Sequence, residues 1–227
     1  MKLPGRKVKR TPAHQRQTLA LWLQERALDA LLDIPEDCAS SAEPFRYDPI
    51  KFSPSPGEVF LLRPAIADAW GPVYVLILEP SDAGSWLVAP FGRYSVPAVP
   101  GEWRTGLSSE ALKVLCLWNH RKVPARAFLA ESASKVSSAT MSRVKRAFLH
   151  VVKGDPLDAA SSRRLGPPLV HPADPRYEYL AEERKRLDDH IPRVDSGVGE
   201  IENVPLIYLR ASSAWLLAAE GRPAWPE

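Results

Sequence analysis

The run Gly71-Pro72-Val73-Tyr74-Val75-Leu76-Ile77-Leu78 decides how this chain folds. It is β-branched and aromatic, opens on a Gly-Pro break, and is apolar at successive rather than alternate positions. That pattern reads as a strand buried on both faces, the centre of a sheet. Pro80-Ser81-Asp82-Ala83-Gly84 follows as a turn, and Trp86-Leu87-Val88-Ala89 returns beside it. Upstream, Glu58-Val59-Phe60-Leu61-Leu62 is a shorter strand behind Gly57. Downstream, the Pro- and Gly-rich stretch from Phe91 to Gly106 leaves room for an edge strand, Val114-Leu115-Cys116-Leu117-Trp118 is another buried one, and Lys122-Val123-Pro124 is short. Ser137 then caps a helix with the stripe Met141, Val144, Phe148 and Val151, closed by Lys153 and a C′ glycine, Gly154. Short strands followed by one packed helix predict an α+β fold, a small barrel with a helix against it.

Outward from this unit the chain becomes helical. Thr11-Pro12 opens an amphipathic helix running to Ile34, with Leu19, Leu23, Ala27, Ala30 and Leu31 at steps of three and four and Trp22 widening the face. A Pro-rich linker covers 35–56. After 154, Asp174-Pro175 starts a helix whose stripe is Tyr177, Leu180, Arg184, Leu187 and Ile191. Arg184 in mid-stripe predicts docking on an acidic or aromatic surface, while Glu182-Glu183 and Asp188-Asp189 read as a solvated acidic face. Leu206 to Leu209 reads as an edge strand and Ser213 to Glu220 as a last helix. The chain thus divides into 1–54 (basic arm, helix, linker), 55–154 (barrel) and 155–227 (helical extension).

Composition bounds the chemistry. In 227 residues there are 23 prolines, about 10% against a usual figure of about 5%, which suits loops and edge strands better than a bundle. The cysteines, Cys38 and Cys116, lie in unrelated contexts, so a disulfide framework is not expected and a cytoplasmic setting is. No apolar run reaches membrane-spanning length, and the N-terminal stretch lacks the apolar core of a secretory signal. The net charge of +3 hides an asymmetry: six basic residues and no acid precede Glu25, leaving 24 basic residues against 27 acids in the rest. No histidine pair has metal-ligand spacing, and no Gly-rich phosphate loop occurs, so neither metal nor cofactor is expected. Arg121, Lys122, Arg126, Arg143, Lys145 and Arg146 are the candidate contacts to RNA or DNA. Leu19, Trp22, Leu23, Trp70, Trp103, Tyr177 and Arg184 are the candidate contacts to a protein partner, with Trp70 and Trp103 read as loop residues.

The order of elements from Ser55 to Gly154 resembles the MazF/PemK family of toxins, SH3-like barrels that cleave single-stranded RNA. The likeness is carried by Pro56-Gly57-Glu58-Val59-Phe60-Leu61, by Gly71-Pro72-Val73-Tyr74-Val75-Leu76-Ile77, by Leu87-Val88-Ala89-Pro90-Phe91-Gly92, by Val114 to Val123, and by the closing helix to Gly154. The resemblance implies an SH3-like barrel, a possible homodimer, and a setting in toxin–antitoxin control, phage defence or regulation. Two places depart from it. Where the family has an arginine before the second-strand proline and a hydroxyl residue after the third strand, this chain has Gly71 and Gly92. Glycine offers only a backbone N–H, so the charge-stabilising and hydrogen-bonding side chains are missing. Arg93, Arg63 and His120 are the nearest residues able to stand in. The leading expectation is a non-catalytic MazF/PemK-like interaction protein, a regulatory subunit binding a protein partner. The alternatives are a metal-independent endoribonuclease toxin and a non-catalytic RNA- or DNA-binding module.

Overall fold

A central strand buried on both faces organises the molecule. In the computed structural model, which describes residues 13–29, 54–63, 71–81, 84–128 and 134–191, β2 (Tyr74–Pro80) is the middle strand of a five-stranded antiparallel sheet. Its neighbours are β1 (Glu58–Leu61) and β3 (Ser85–Pro90), with β7 (Ser134–Lys135) outside β1 and β6 (Arg121–Pro124) outside β3. Tyr74, Leu76 and Leu78 point to one face, into a core with Val59, Phe91, Trp103 and Leu115. Val73, Val75 and Ile77 point to the other, against Phe60, Val88, Val123 and Phe128. Both faces are covered, which is why the run never alternates with polar residues. The β2–β3 register shifts between Ile77 and Glu79, a bulge that bends the pair.

A second, two-stranded sheet of β4 (Glu102–Arg104) and β5 (Val114–Cys116) covers the first face. It meets the main sheet through the bridge between Phe91 and Leu115 and the Gly92 N–H donating to the Val114 carbonyl at 2.9 Å. Phe128 bridges back to Leu62, so the sheet curls, yet among the described residues no continuous ladder closes it into a barrel. The fold is α+β with antiparallel sheets.

Helix α2 (Ser138–Lys153) lies under the first core with Met141, Val144 and Ala147 buried. Its ends are as the sequence predicts: the Ser137 hydroxyl accepts from the Thr140 N–H, and Gly154 takes the left-handed C-terminal conformation with φ 77°. A one-turn helix, α3 (Ala159–Ser162), is capped by Asp158. Beyond it the chain passes the Val99 loop so closely that a Cβ on Gly166 would lie 2.3 Å from the Val99 carbonyl oxygen. No other residue fits there.

Two helices cover the remaining edge, α1 (Ala13–Asp29) and α4 (Arg176–His190). They meet the sheet through an aromatic cluster: Trp22 packs edge-on to Tyr94 and Tyr179, at ring-centre separations of 5.9 and 5.4 Å. Arg176 pins the start of α4. Its Nη1 donates to the carbonyls of Ala98 (2.8 Å) and Pro167 (3.1 Å), and its Nη2 to Pro168 and Asp174; Nε also donates to Asp174. A buried arginine with every donor placed is tolerable where an unpaired one is not. These contacts lower the Asp174 carboxyl below its ordinary value, chiefly through the Arg176 hydrogen bonds.

The structure corrects both predicted helix stripes. In α1 the buried side chain is Trp22, with Leu19 partly covered and Leu23 46% exposed. One aromatic side chain covers more area than a line of leucines can reach, and the flanking polar residues Glu25 and Arg26 make the other contacts. In α4 the inward face is Arg176, Tyr179, Glu183, Arg186, Leu187 and His190, while Tyr177 is exposed. Glu183 is therefore not part of a solvated acidic face. Trp103, expected in a loop, is a fully buried β4 residue. The helix end beyond Asp29, the linker to residue 53, Trp70, and the elements expected at 206–209 and 213–220 lie outside the described residues.

Burial of this kind makes a paired expectation. Trp22→Ala should cost about 3–5 kcal/mol of α1 docking and erase the hydrogen-exchange protection of the α1 amides. Leu23→Ala should change stability by no more than about 0.5 kcal/mol. Equal protection loss in the two variants would refute the assignment of Trp22 as the anchor.

Candidate functional site

The polar residues gather where α4 crosses the end of β3. Glu102 of β4 is fully buried, and its carboxylate is surrounded by donors. The Tyr179 hydroxyl donates to Oε1 at 2.8 Å and the Cys116 thiol reaches the same oxygen at 3.6 Å. The Ala98 and Val99 N–H groups donate to Oε2. One turn along α4, Glu183 accepts from Arg93 Nε at 2.8 Å and from Arg186 Nη2 at 2.9 Å. Arg186 also donates to the Phe91 carbonyl at 2.6 Å, and Asn119 Nδ2 to the Glu183 carbonyl at 3.0 Å. The two acids thus hold together the end of β3, the 93–99 loop, β4, β5 and α4.

Electrostatics follow from this burial. Desolvation raises Glu102 to about 7, against the lowering effect of its hydrogen bonds from Ala98 and Tyr179. Burial likewise pushes the Cys116 thiol and the Tyr179 phenol well above their ordinary values, with Glu102 and Glu183 adding to both. Arg93 is driven the other way by burial, but Glu183, Tyr94 and its hydrogen bonds more than compensate and hold it charged. A carboxyl near 7 suits proton transfer. Glu102, however, has no exposed surface and both oxygens are occupied, so it serves here as a tether.

Gly92 lies inside this cluster. A Cβ placed on it would approach Cys116 Sγ at 3.2 Å and the Tyr179 hydroxyl at 3.5 Å. The space in front of Gly92 is filled by Cys116 and Val114 of β5 and by Tyr179 of α4. Beside it, an open cleft of about 380 Å³ is lined by Glu25, Asp29, Arg93, Tyr94 and Glu110, and Glu25 uses both carboxylate oxygens on Ser95.

The stand-in residues do not converge on one empty site. Arg93 is held by Glu182 and Glu183, both at 2.8 Å. His120 Nδ1 lies 2.9 Å from the Leu117 carbonyl, and its ring stacks edge-on with Phe148 of α2. Arg63 follows β1, its N–H donating to Ala127. The basic set also divides. Arg121 pairs with Asp188 at 3.4 Å, Arg126 is half-buried, and Lys122 is exposed. Arg143 and Arg146 share one flank of α2, and Lys145 takes the other. Among the partner candidates, Trp22 and Trp103 are consumed by the chain's own core, and Arg184 lies 5.8 Å over the Trp118 ring, the aromatic docking expected of it. Leu23 and Tyr177 remain exposed.

Glu102, Tyr179, Glu183, Arg186 and Arg164 were not singled out as site residues from the sequence. The spacing Tyr179, Glu183, Arg186, His190 is a helical face, and that periodicity was the available signal; its polarity disguised it as surface. Comparison with protein-family models, curated proteins and solved structures finds no match. Among the described residues no helix is long and apolar enough to cross a membrane, and no cluster of three or more potential metal ligands occurs.

The Glu102 environment sets a pH dependence. A carboxyl that binds its proton more tightly in the fold than in the unfolded chain contributes stability at low pH and loses it as pH rises, here from about 4.5 to about 7. The Tm of the wild type relative to Glu102→Gln should therefore fall across that window and level off above it. A difference independent of pH would show that Glu102 titrates alike in both states.

Proposed function

We propose that this protein is a non-catalytic, MazF/PemK-like interaction protein, a regulatory subunit that binds a protein partner. The observation carrying this reading is the occupancy of the place that the resemblance reserves for chemistry. Gly92 supplies no side chain there, and Cys116 of β5 and Tyr179 of α4 stand 3.2 and 3.5 Å from where one would begin. The neighbouring cation, Arg93, is spent on Glu182 and Glu183. The same likeness reads the curled antiparallel sheet with α2 beneath it as a variant of the SH3-like barrel.

Outside the plugged face, α1 offers Leu21, Leu23 and Leu28, between 43% and 53% exposed, and α4 offers Tyr177 at 48%. Single exposed leucines are ordinary, but Leu21 and Leu28, seven residues apart on one flank of α1, with Leu23 on its other flank and a tyrosine on the companion helix, supply apolar area a partner can cover. In this reading the chain's own helices have replaced the substrate, and their outer surfaces have become the recognition element.

Purified protein should leave a mixed single-stranded RNA intact without added metal, because a missing electrostatic donor typically lowers rate by about 10²–10³ and two are absent. Cleavage by wild type that disappears in Arg93→Ala or His120→Ala would replace this reading with the endoribonuclease. A partner recovered from the host by the tagged chain should be lost on combining Leu23→Asp with Leu28→Asp; retention would move the interface elsewhere.

A further inference from the structure

One flank of α2 carries a row of basic side chains that the core does not use. Arg143, Arg146, His150 and Lys153 recur at steps of three and four, which keeps them on one line of the helix. Arg143, Arg146 and Lys153 are exposed and His150 is half-buried. Ten residues at about 1.5 Å each make this row about 15 Å long. Across from it runs the segment through α3, and between them lies a cleft of about 290 Å³ lined by Arg143, Arg146, Asp158, Ser161 and Arg164.

Arg164 is the fixed member. Its guanidinium lies 5.4 Å over the ring of the buried Trp103, and Nη1 donates to the carbonyls of Arg104 (3.3 Å) and Thr105 (3.1 Å). A guanidinium held this way loses little freedom on meeting a ligand. The acid lining the cleft, Asp158, accepts from the Ser161 N–H at 2.8 Å and the Ser161 hydroxyl at 2.7 Å, and makes a long, exposed ion pair of 3.9 Å with Arg146. Those Ser161 hydrogen bonds hold the Asp158 carboxyl below its ordinary value, so it stays an anion. Three guanidiniums thus face one carboxylate, and the cleft is net positive.

We propose that this flank and cleft bind the phosphodiester backbone of a nucleic-acid strand. A single phosphate would need only the cleft. Lys153, exposed two turns beyond Arg146 on the same line, carries positive charge past the cleft, which matches an anion whose charge repeats. None of the lining residues is aromatic, so bases find no stacking platform there; contact is to the backbone, indifferent to sequence and sensitive to salt. Arg121, paired with Asp188, and Lys145, on the opposite flank, take no part. This inference stands independently of the protein-partner reading, since it concerns binding at another face and requires no cleavage.

The test is fluorescence anisotropy of the full chain with labelled mixed-sequence single strands, DNA and RNA, between 50 and 200 mM salt. On either strand, Arg143→Gln combined with Arg146→Gln should weaken binding at least tenfold at the low-salt end. It should also reduce the slope of log K against log salt by about 1.4, taking about 0.7 per lost contact on a single strand. Lys145→Gln should stay within about twofold of wild type. Absence of binding by wild type at 50 mM salt would overturn the proposal, as would an equal loss in Lys145→Gln. Displacement by poly-glutamate as effective as by unlabelled oligonucleotide would also overturn it and mark the cleft as a surface for an acidic peptide.

Discussion

The carboxylate of Glu102 is the interaction on which the arrangement depends. It sits where the 93–99 loop, β4, β5 and α4 converge, and it accepts hydrogen bonds from each of the other three: Ala98 and Val99 N–H, the Cys116 thiol and the Tyr179 hydroxyl. A buried carboxyl group without hydrogen-bond partners is costly, so the surrounding chain must come together around it. That requirement couples parts of the chain more than 70 residues apart and turns α4 from an added helix into part of the core.

Glu183 extends the constraint. It places a second buried acid one turn further along α4 and answers it with Arg93 and Arg186. Buried ion pairs of this sort add little net stability over apolar packing, but breaking one partner is costly. Their value lies in specifying one docking position for α4. The docking is not fully satisfied: Arg186 Nε and Asn119 Oδ1 are buried without a hydrogen-bond partner among the described residues. Together with Arg176 at the helix start, the network directs α4 across Gly92, and Trp22 then seats α1 against Tyr179. The covering of Gly92 by Tyr179 follows from these polar contacts, and α1 and α4 keep their opposite faces exposed.

The basic surface is organised by a separate element. Helix α2 is held by an apolar face, so its charged residues are free to sort by angle alone. One residue of displacement separates Lys145 from Arg146 and puts them on different flanks. The flank facing α3 meets another preorganised cation, Arg164.

Much was legible in the chain itself. The continuous apolar run at 73–78 identified a strand buried on both faces because covering both faces leaves no position for polar residues, and β2 is the central strand of its sheet. Ser137 and Gly154 marked the ends of α2 because capping is chemistry within one turn. Local pattern likewise placed β1, β2, β3, β5 and β6 and the helices α1, α2 and α4, for the same local reason. What the sequence could not decide was which face each helix buries once polar residues are allowed inside. Tyr179, Glu183 and Arg186 look like surface until Glu102, Arg93 and the Phe91 carbonyl are brought beside them, and Leu23 looks like core until Trp22 takes its place. Those outcomes depend on partners distant in the chain. A buried charge is acceptable only when its counter-charge and donors arrive from elsewhere, and only the tertiary structure brings them.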